Sequence, residues 1–144
     1  MILPPSINKS TDQPFNKSLS LAIIAGVSGV YDVLVGCTLL LARPQLAALF
    51  GVPLPVPPIH ADLNGLFLMA VGFGYWLPLR DPVRYRGYLW VMGPLLKGAG
   101  AAVFILDYLL RGSPASFLLF AASDGTLAVA TLWVLMATAG RSRA

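Results

Sequence analysis

Glutamate is missing from this chain, and charge of either sign is scarce. Charged residues make up 11% of the 144 positions, against about 25% in an ordinary soluble domain. Apolar residues account for 57% and the mean hydropathy is +0.75. That balance excludes a soluble globular protein and predicts an integral membrane protein of one domain. No polar run is long enough to house a second, extramembrane module. Cysteine occurs once, as Cys37, which excludes an intrachain disulfide and any CxxC site for zinc, redox chemistry or haem attachment. Lying in an apolar run, Cys37 reads as a small helix filler. Histidine also occurs once, as His60, so an intrachain bis-histidine haem or multi-histidine metal site is excluded. A lone imidazole can fill one axial position of a chlorophyll-type or haem centre only if another group completes the site. There is no GxSxG, no HExxH and no glycine-rich phosphate loop. No catalytic residue is assigned, and no cofactor is required.

The charge that is present is patterned. Ten Lys and Arg stand against six Asp, for a net charge of +4. The arginines cluster at the ends of apolar segments, which argues against a nucleic-acid partner and for the lipid bilayer. Four segments are long enough to cross a hydrocarbon core of ~30 Å. They cover about 19–42, 60–79, 88–110 and 115–139, and each is followed by a stop: Arg43-Pro44, Arg80-Asp81-Pro82, Arg111-Gly112-Ser113-Pro114 and Arg141-Ser142-Arg143. Connections this short make neighbouring helices antiparallel. The fold class expected is therefore all-α, an integral membrane four-helix bundle running up-down-up-down. Residues 1–18 read as a polar N-terminal tail, 19–140 as the transmembrane domain and 141–144 as a basic C-terminal tail. Lys9, Lys17, Arg80, Arg84, Arg86, Arg141 and Arg143 fall on one side, and only Arg43 and Arg111 on the other. By the positive-inside rule both termini are cytoplasmic, in a bacterial inner membrane.

The first loop carries structure of its own. Pro44 can open a short helix over about 44–51 that Gly51 closes, with Leu46, Leu49 and Phe50 on one face suited to the membrane interface. The prolines at 53, 55, 57 and 58 then predict an extended run. Such an element either covers a ligand or caps the bundle. Trp76, Trp90 and Trp133, with Tyr75, Tyr85 and Tyr88, read as aromatic-belt anchors.

Lys97 is the informative anomaly, because it lies near the middle of the third apolar span. An ammonium at that depth costs several kcal/mol unless it is paired or faces a cavity. At ~1.5 Å per residue, Asp32 and Asp124 fall at a common depth of roughly 14 Å, with Lys97 about 5 Å deeper. The lysine stem can cover that difference. The predicted polar cluster is Lys97 with Asp32, Asp124 or both, and with Asp62, Asn64 and Tyr31 as further members or donors and His60 at the rim. One positive and two negative charges do not balance, so either a carboxyl is protonated or Tyr31, Asn64 or His60 donates to it. The glycines share faces with these charges: Gly29 and Gly36 with Asp32, Gly65 and Gly72 with Asp62 and Trp76, Gly93 and Gly100 with Lys97. Small residues let helix backbones approach closely in lipid, so the charges face protein. Pro94, three residues before Lys97, predicts a kink or a loosened helix there.

Several of these elements together resemble the small four-helix DoxX-like membrane proteins of bacteria. They are Tyr31-Asp32 with Gly36, LAALFGVP at Leu46–Pro53, Asp62 with Gly65, Gly72-Phe73-Gly74-Tyr75, Arg84–Arg86, Gly93 with Lys97, and Asp124. The resemblance covers about 19–136. It implies an accessory role beside quinone-linked membrane oxidoreductases and carries over no catalytic residue. The redox cysteines of some members have no counterpart here beyond Cys37.

Three functions compete. The first is a non-catalytic small subunit of a larger respiratory, photosynthetic or other redox membrane complex, or of a homo-oligomer. The alternative is a binding or transport bundle for a lipophilic ligand such as a quinone or isoprenoid lipid, with the Lys–Asp cluster at its head group. An enzyme using the carboxylates as acid and base ranks last. Beside all three stands the simpler reading that the buried charges hold the helices in register.

Overall fold

A computed structural model describes residues 13–139, with side chains from residue 17 onward. The C-terminal tail and most of the N-terminal tail, including Lys9, Arg141 and Arg143, lie outside the described residues. The described chain is helical and contains no strand. Its elements are α1 (Gln13–Leu41), α2 (Arg43–Phe50), α3 (Ile59–Gly74), α4 (Trp76–Arg80), α5 (Arg86–Trp90), a π-helical segment (Val91–Lys97), α6 (Gly98–Arg111), a 3-10 turn (Ala115–Phe117) and α7 (Leu118–Ala139). Three continuous helices are long and apolar enough to cross a membrane: Lys17–Leu41, Arg86–Arg111 and Ala115–Ala139.

The expected second span is not one helix. It divides at Tyr75 into α3 and α4. Proline has no N–H and its ring crowds the carbonyl four residues back, and four residues before Pro78 is Gly74, where α3 ends. The chain stays close to helical across the break: the Tyr75 N–H reaches the Val71 and Gly72 carbonyls, and the Leu79 N–H reaches the Tyr75 carbonyl at 3.0 Å. Pro94 acts in the same way. Four residues before it is Trp90, the last residue of α5, and the next seven residues widen into the π segment that ends on Lys97. The expected kink is thus a change of helical pitch, which is a common accommodation of an inserted proline or functional group.

α1 and α3 are antiparallel and in backbone contact. A Cβ at Gly36 would lie 2.7 Å from the Gly65 carbonyl, and one at Gly72 would lie 2.8 Å from the Gly29 carbonyl. These two glycine pairs, seven residues apart on each helix, set how closely the helices approach. Trp76, expected on the same face, is 54% exposed. Tyr75 itself is 2% exposed and meets Tyr88 edge-on, 5.2 Å between centroids. Tyr88 donates to the Val71 carbonyl at 2.6 Å. These two tyrosines are core residues rather than belt anchors, whereas Trp133 faces outward.

One end of the molecule is closed by basic side chains on helix carbonyls. Lys17 Nζ donates to the Ala137 carbonyl at 2.9 Å, and Arg86 donates to the Leu135 carbonyl. Cations at a helix C-terminus also match its dipole. Just inside this end lies the tightest core, formed by Leu21, Ala25, Val71, Tyr75, Leu89, Val134 and Leu135. The opposite end is roofed by α2. Gly51 closes α2 in the left-handed conformation at φ 65°, and Ser116 Oγ donates to the Phe50 carbonyl at 2.7 Å. The inward face of α2 is not the expected set. Ala47 and Phe50 are buried but Leu49 is exposed, because the buried residues follow Arg43 at helical spacing and Leu49 falls on the opposite side.

Candidate functional site

Lys97 is 5% exposed and Asp32 1%. The ammonium donates to Asp32 Oδ1 at 2.6 Å and to Asp124 Oδ1 at 3.2 Å. Its Nζ also lies 4.9 Å from the centroid of the Tyr31 ring, within cation–π range. α1, the π segment and α7 therefore each supply one charged group to a triad. A buried charge pair contributes little net stability, but removing one partner leaves the other charge uncompensated at a large cost.

The other expected members stand apart. Tyr31 gives its ring to Lys97, while its hydroxyl pairs with Ser123 Oγ at 2.7 Å rather than with either carboxylate. Asp62 is paired with Arg43, which ties the start of α3 to α2. Arg43 Nε also reaches the Leu39 carbonyl at 3.4 Å. Asn64 lies nearby without bonding to the triad, and His60 is exposed at the start of α3. The expected six-residue cluster is thus two clusters: the Lys97 triad, and the Arg43–Asp62 pair nearer the α2 end. The physical reason is reach, since Arg43 brings a cation within bonding distance of Asp62 while Lys97 is held by the deeper carboxylates.

Among the described residues, three buried polar atoms have no hydrogen-bond partner: Asp32 Oδ2, Ser28 Oγ and Tyr75 Oη. Ser28 precedes Asp32 by one helical turn, and its hydroxyl neighbours that of Tyr75 without a bond of good geometry. A single bridging water can satisfy such a group.

Between the triad and α2 lies a cavity of about 550 Å³. Lys97, Asp32 and Asp124 form its inner end. Val35, Leu68, Leu96 and Phe104 are among its apolar walls, and Ala47, Phe50 and Pro53 belong to its roof. Phe50 stacks on Phe120 at 4.8 Å and on Phe117 at 5.6 Å, and Phe104 stacks on Phe120 at 5.4 Å. Rings from α2, the 3-10 turn, α6 and α7 thus make one aromatic wall. Gly100 also lines the cavity, and a Cβ there would lie 3.6 Å from Asp124 Oδ2, in ordinary contact. The aromatic wall is absent from the sequence reading, because its rings come from four elements with no common spacing.

No family profile, curated protein or solved structure matches the chain. Any functional reading therefore stands on geometry. An apolar cavity with a few convergent polar groups at one end is the usual form of a small-molecule site. No grouping of three or more His, Cys, Asp or Glu able to hold a metal occurs among the described residues.

Proposed function

We propose that this protein is a four-helix membrane bundle that binds a lipophilic small molecule carrying a polar head. The cavity carries this reading. Its volume of about 550 Å³ lies within the ~300–1,000 Å³ range of small-molecule sites, and its polar groups gather at one end of an apolar slot. The three long apolar helices, with α3 and α4 together as the fourth crossing, give the bundle. The excess of Lys and Arg at the Arg86 end favours cytoplasmic termini in a bacterial inner membrane. In that orientation the cavity opens toward the outer leaflet under the α2 roof.

Ligand binding is preferred to the accessory-subunit role, including the one the DoxX-like resemblance implies, because the distinguishing feature is internal. Nothing particular to the outer surface motivates a larger complex.

The test is mass spectrometry of organic extracts of the purified protein, wild type against Gly100→Leu. A Cβ at Gly100 meets Asp124 Oδ2 at 3.6 Å and no backbone atom of another helix within 4 Å, so a leucine there is expected to extend into the slot. The wild type is expected to carry a small molecule at near-stoichiometric ratio that Gly100→Leu lacks. Identical extracts from the two proteins would refute the proposal.

A further inference from the structure

The charge balance of the triad indicates what kind of head group the cavity accepts. Lys97 is the expected attachment point for a carbonyl or anionic head, as in a quinone or a lipid phosphate. Two of its three N–H donors go to Asp32 and Asp124 at 2.6 and 3.2 Å, and the Tyr31 ring lies over the ammonium at 4.9 Å. A ligand carbonyl is left with the third N–H beside that ring, and an anionic head would set a third negative charge against one buried cation.

Among the groups that line the cavity, the unused capacity lies on the acceptor side. With both carboxyls ionised, two carboxylates share one lysine, for a formal charge of −1. Asp32 lines the cavity, is 1% exposed, and its Oδ2 has no partner among the described residues. Asp124 is less enclosed, with its side chain 18% exposed, and no hydrogen bond reaches its Oδ2 among the described residues. The nearest other cation on the cavity wall, Arg43, is paired with Asp62. The hydroxyl of Tyr31, which also lines the cavity, is turned to Ser123. Resting on the ligand-binding reading above, we infer that the cavity accepts a cationic amphiphile, an alkylammonium whose N–H groups donate to Asp124 Oδ2 while its tail lies along the phenylalanine wall. Binding would make the buried ion set two positive against two negative, and the aromatic faces near the head favour a cation further.

The experiment compares three probes with one tail and different heads: dodecylammonium, dodecanol and dodecanoate. Each is titrated into the full chain in phosphatidylcholine nanodiscs while the thermal unfolding midpoint is followed. Dodecylammonium is expected to raise the midpoint at roughly tenfold lower concentration than either other probe, equivalent to about 1.4 kcal/mol of selectivity. Asp124→Asn should abolish that selectivity and Asp124→Glu should retain it. Gly100→Leu should remove stabilisation by every probe, separating the cavity from bilayer effects. Equal stabilisation by all three heads, lost in Gly100→Leu, would overturn the cationic inference and keep the cavity reading. Preference for dodecanoate or dodecanol would overturn it too. No stabilisation by any probe would overturn both. Should Asp124→Asn fail to fold, the wild-type ranking and Asp124→Glu decide the matter.

Discussion

The two halves of this protein solve the problem of packing helices in lipid differently. Toward the Lys17 and Arg86 end, backbones touch at Gly29 and Gly72, and Tyr75, Leu89 and Leu135 fill the space between helices. Toward α2, α1 and α3 still touch at Gly36 and Gly65, but the α1–α3 pair and the α6–α7 pair flank an apolar cavity with three charges at its base. Lipid offers no hydrophobic drive for helices to associate. The packed half therefore holds the molecule together by close fit, and the hollow half is free to serve a ligand. The triad sits at the boundary and belongs to both.

Breaking the boundary should have the largest effect. Lys97→Met leaves Asp32 and Asp124 without a cation and is expected to cost about 3–5 kcal/mol of stability. Combining it with Asp32→Asn and Asp124→Asn should recover most of that loss. Denaturant unfolding in mixed micelles checks both variants. A harmless single change would show that the triad does not couple the helices.

Next comes the packed half. In Gly72→Leu the new Cβ would lie 2.7 Å from Val33 Cγ2 and 2.8 Å from the Gly29 carbonyl. Overpacking of this kind costs about 3 kcal/mol where backbone must move. A smaller effect sharpens the role of Tyr31. Tyr31→Phe keeps the ring over Lys97 and loses the bond to Ser123, so a cost of about 1 kcal/mol is expected. A loss as large as that of Lys97→Met would mean that the hydroxyl, rather than the ring, supports the triad.

The pairing of Lys97 with Asp32 and Asp124 was legible in the sequence because charges in apolar spans are few and helical depth is a simple count. The close approach of α1 and α3 was legible for a similar reason, from glycines at helical spacing beside those charges. Asp62 was misplaced, because Arg43 was read only as the end of a span and not as a side chain able to fold back onto α3. The break at Tyr75 went unread although Pro78 marks it three residues downstream. Tyr75 and Tyr88 were taken for interface anchors, since an amphipathic ring near a span end looks the same in sequence whether it faces lipid or core. The cavity was not legible. It depends on how far apart the helices stand, on a roof whose inward face runs through Ala47 and Phe50, and on rings from four elements.

The most direct test places one substitution in each half and compares the unfolding free energies of Gly72→Leu and Gly100→Leu in the same detergent. If one half is packed and the other hollow, Gly72→Leu loses about 3 kcal/mol while Gly100→Leu stays within about 1 kcal/mol of wild type. Equal losses at the two glycines would contradict the existence of a slot beside the triad, and with it the ligand site.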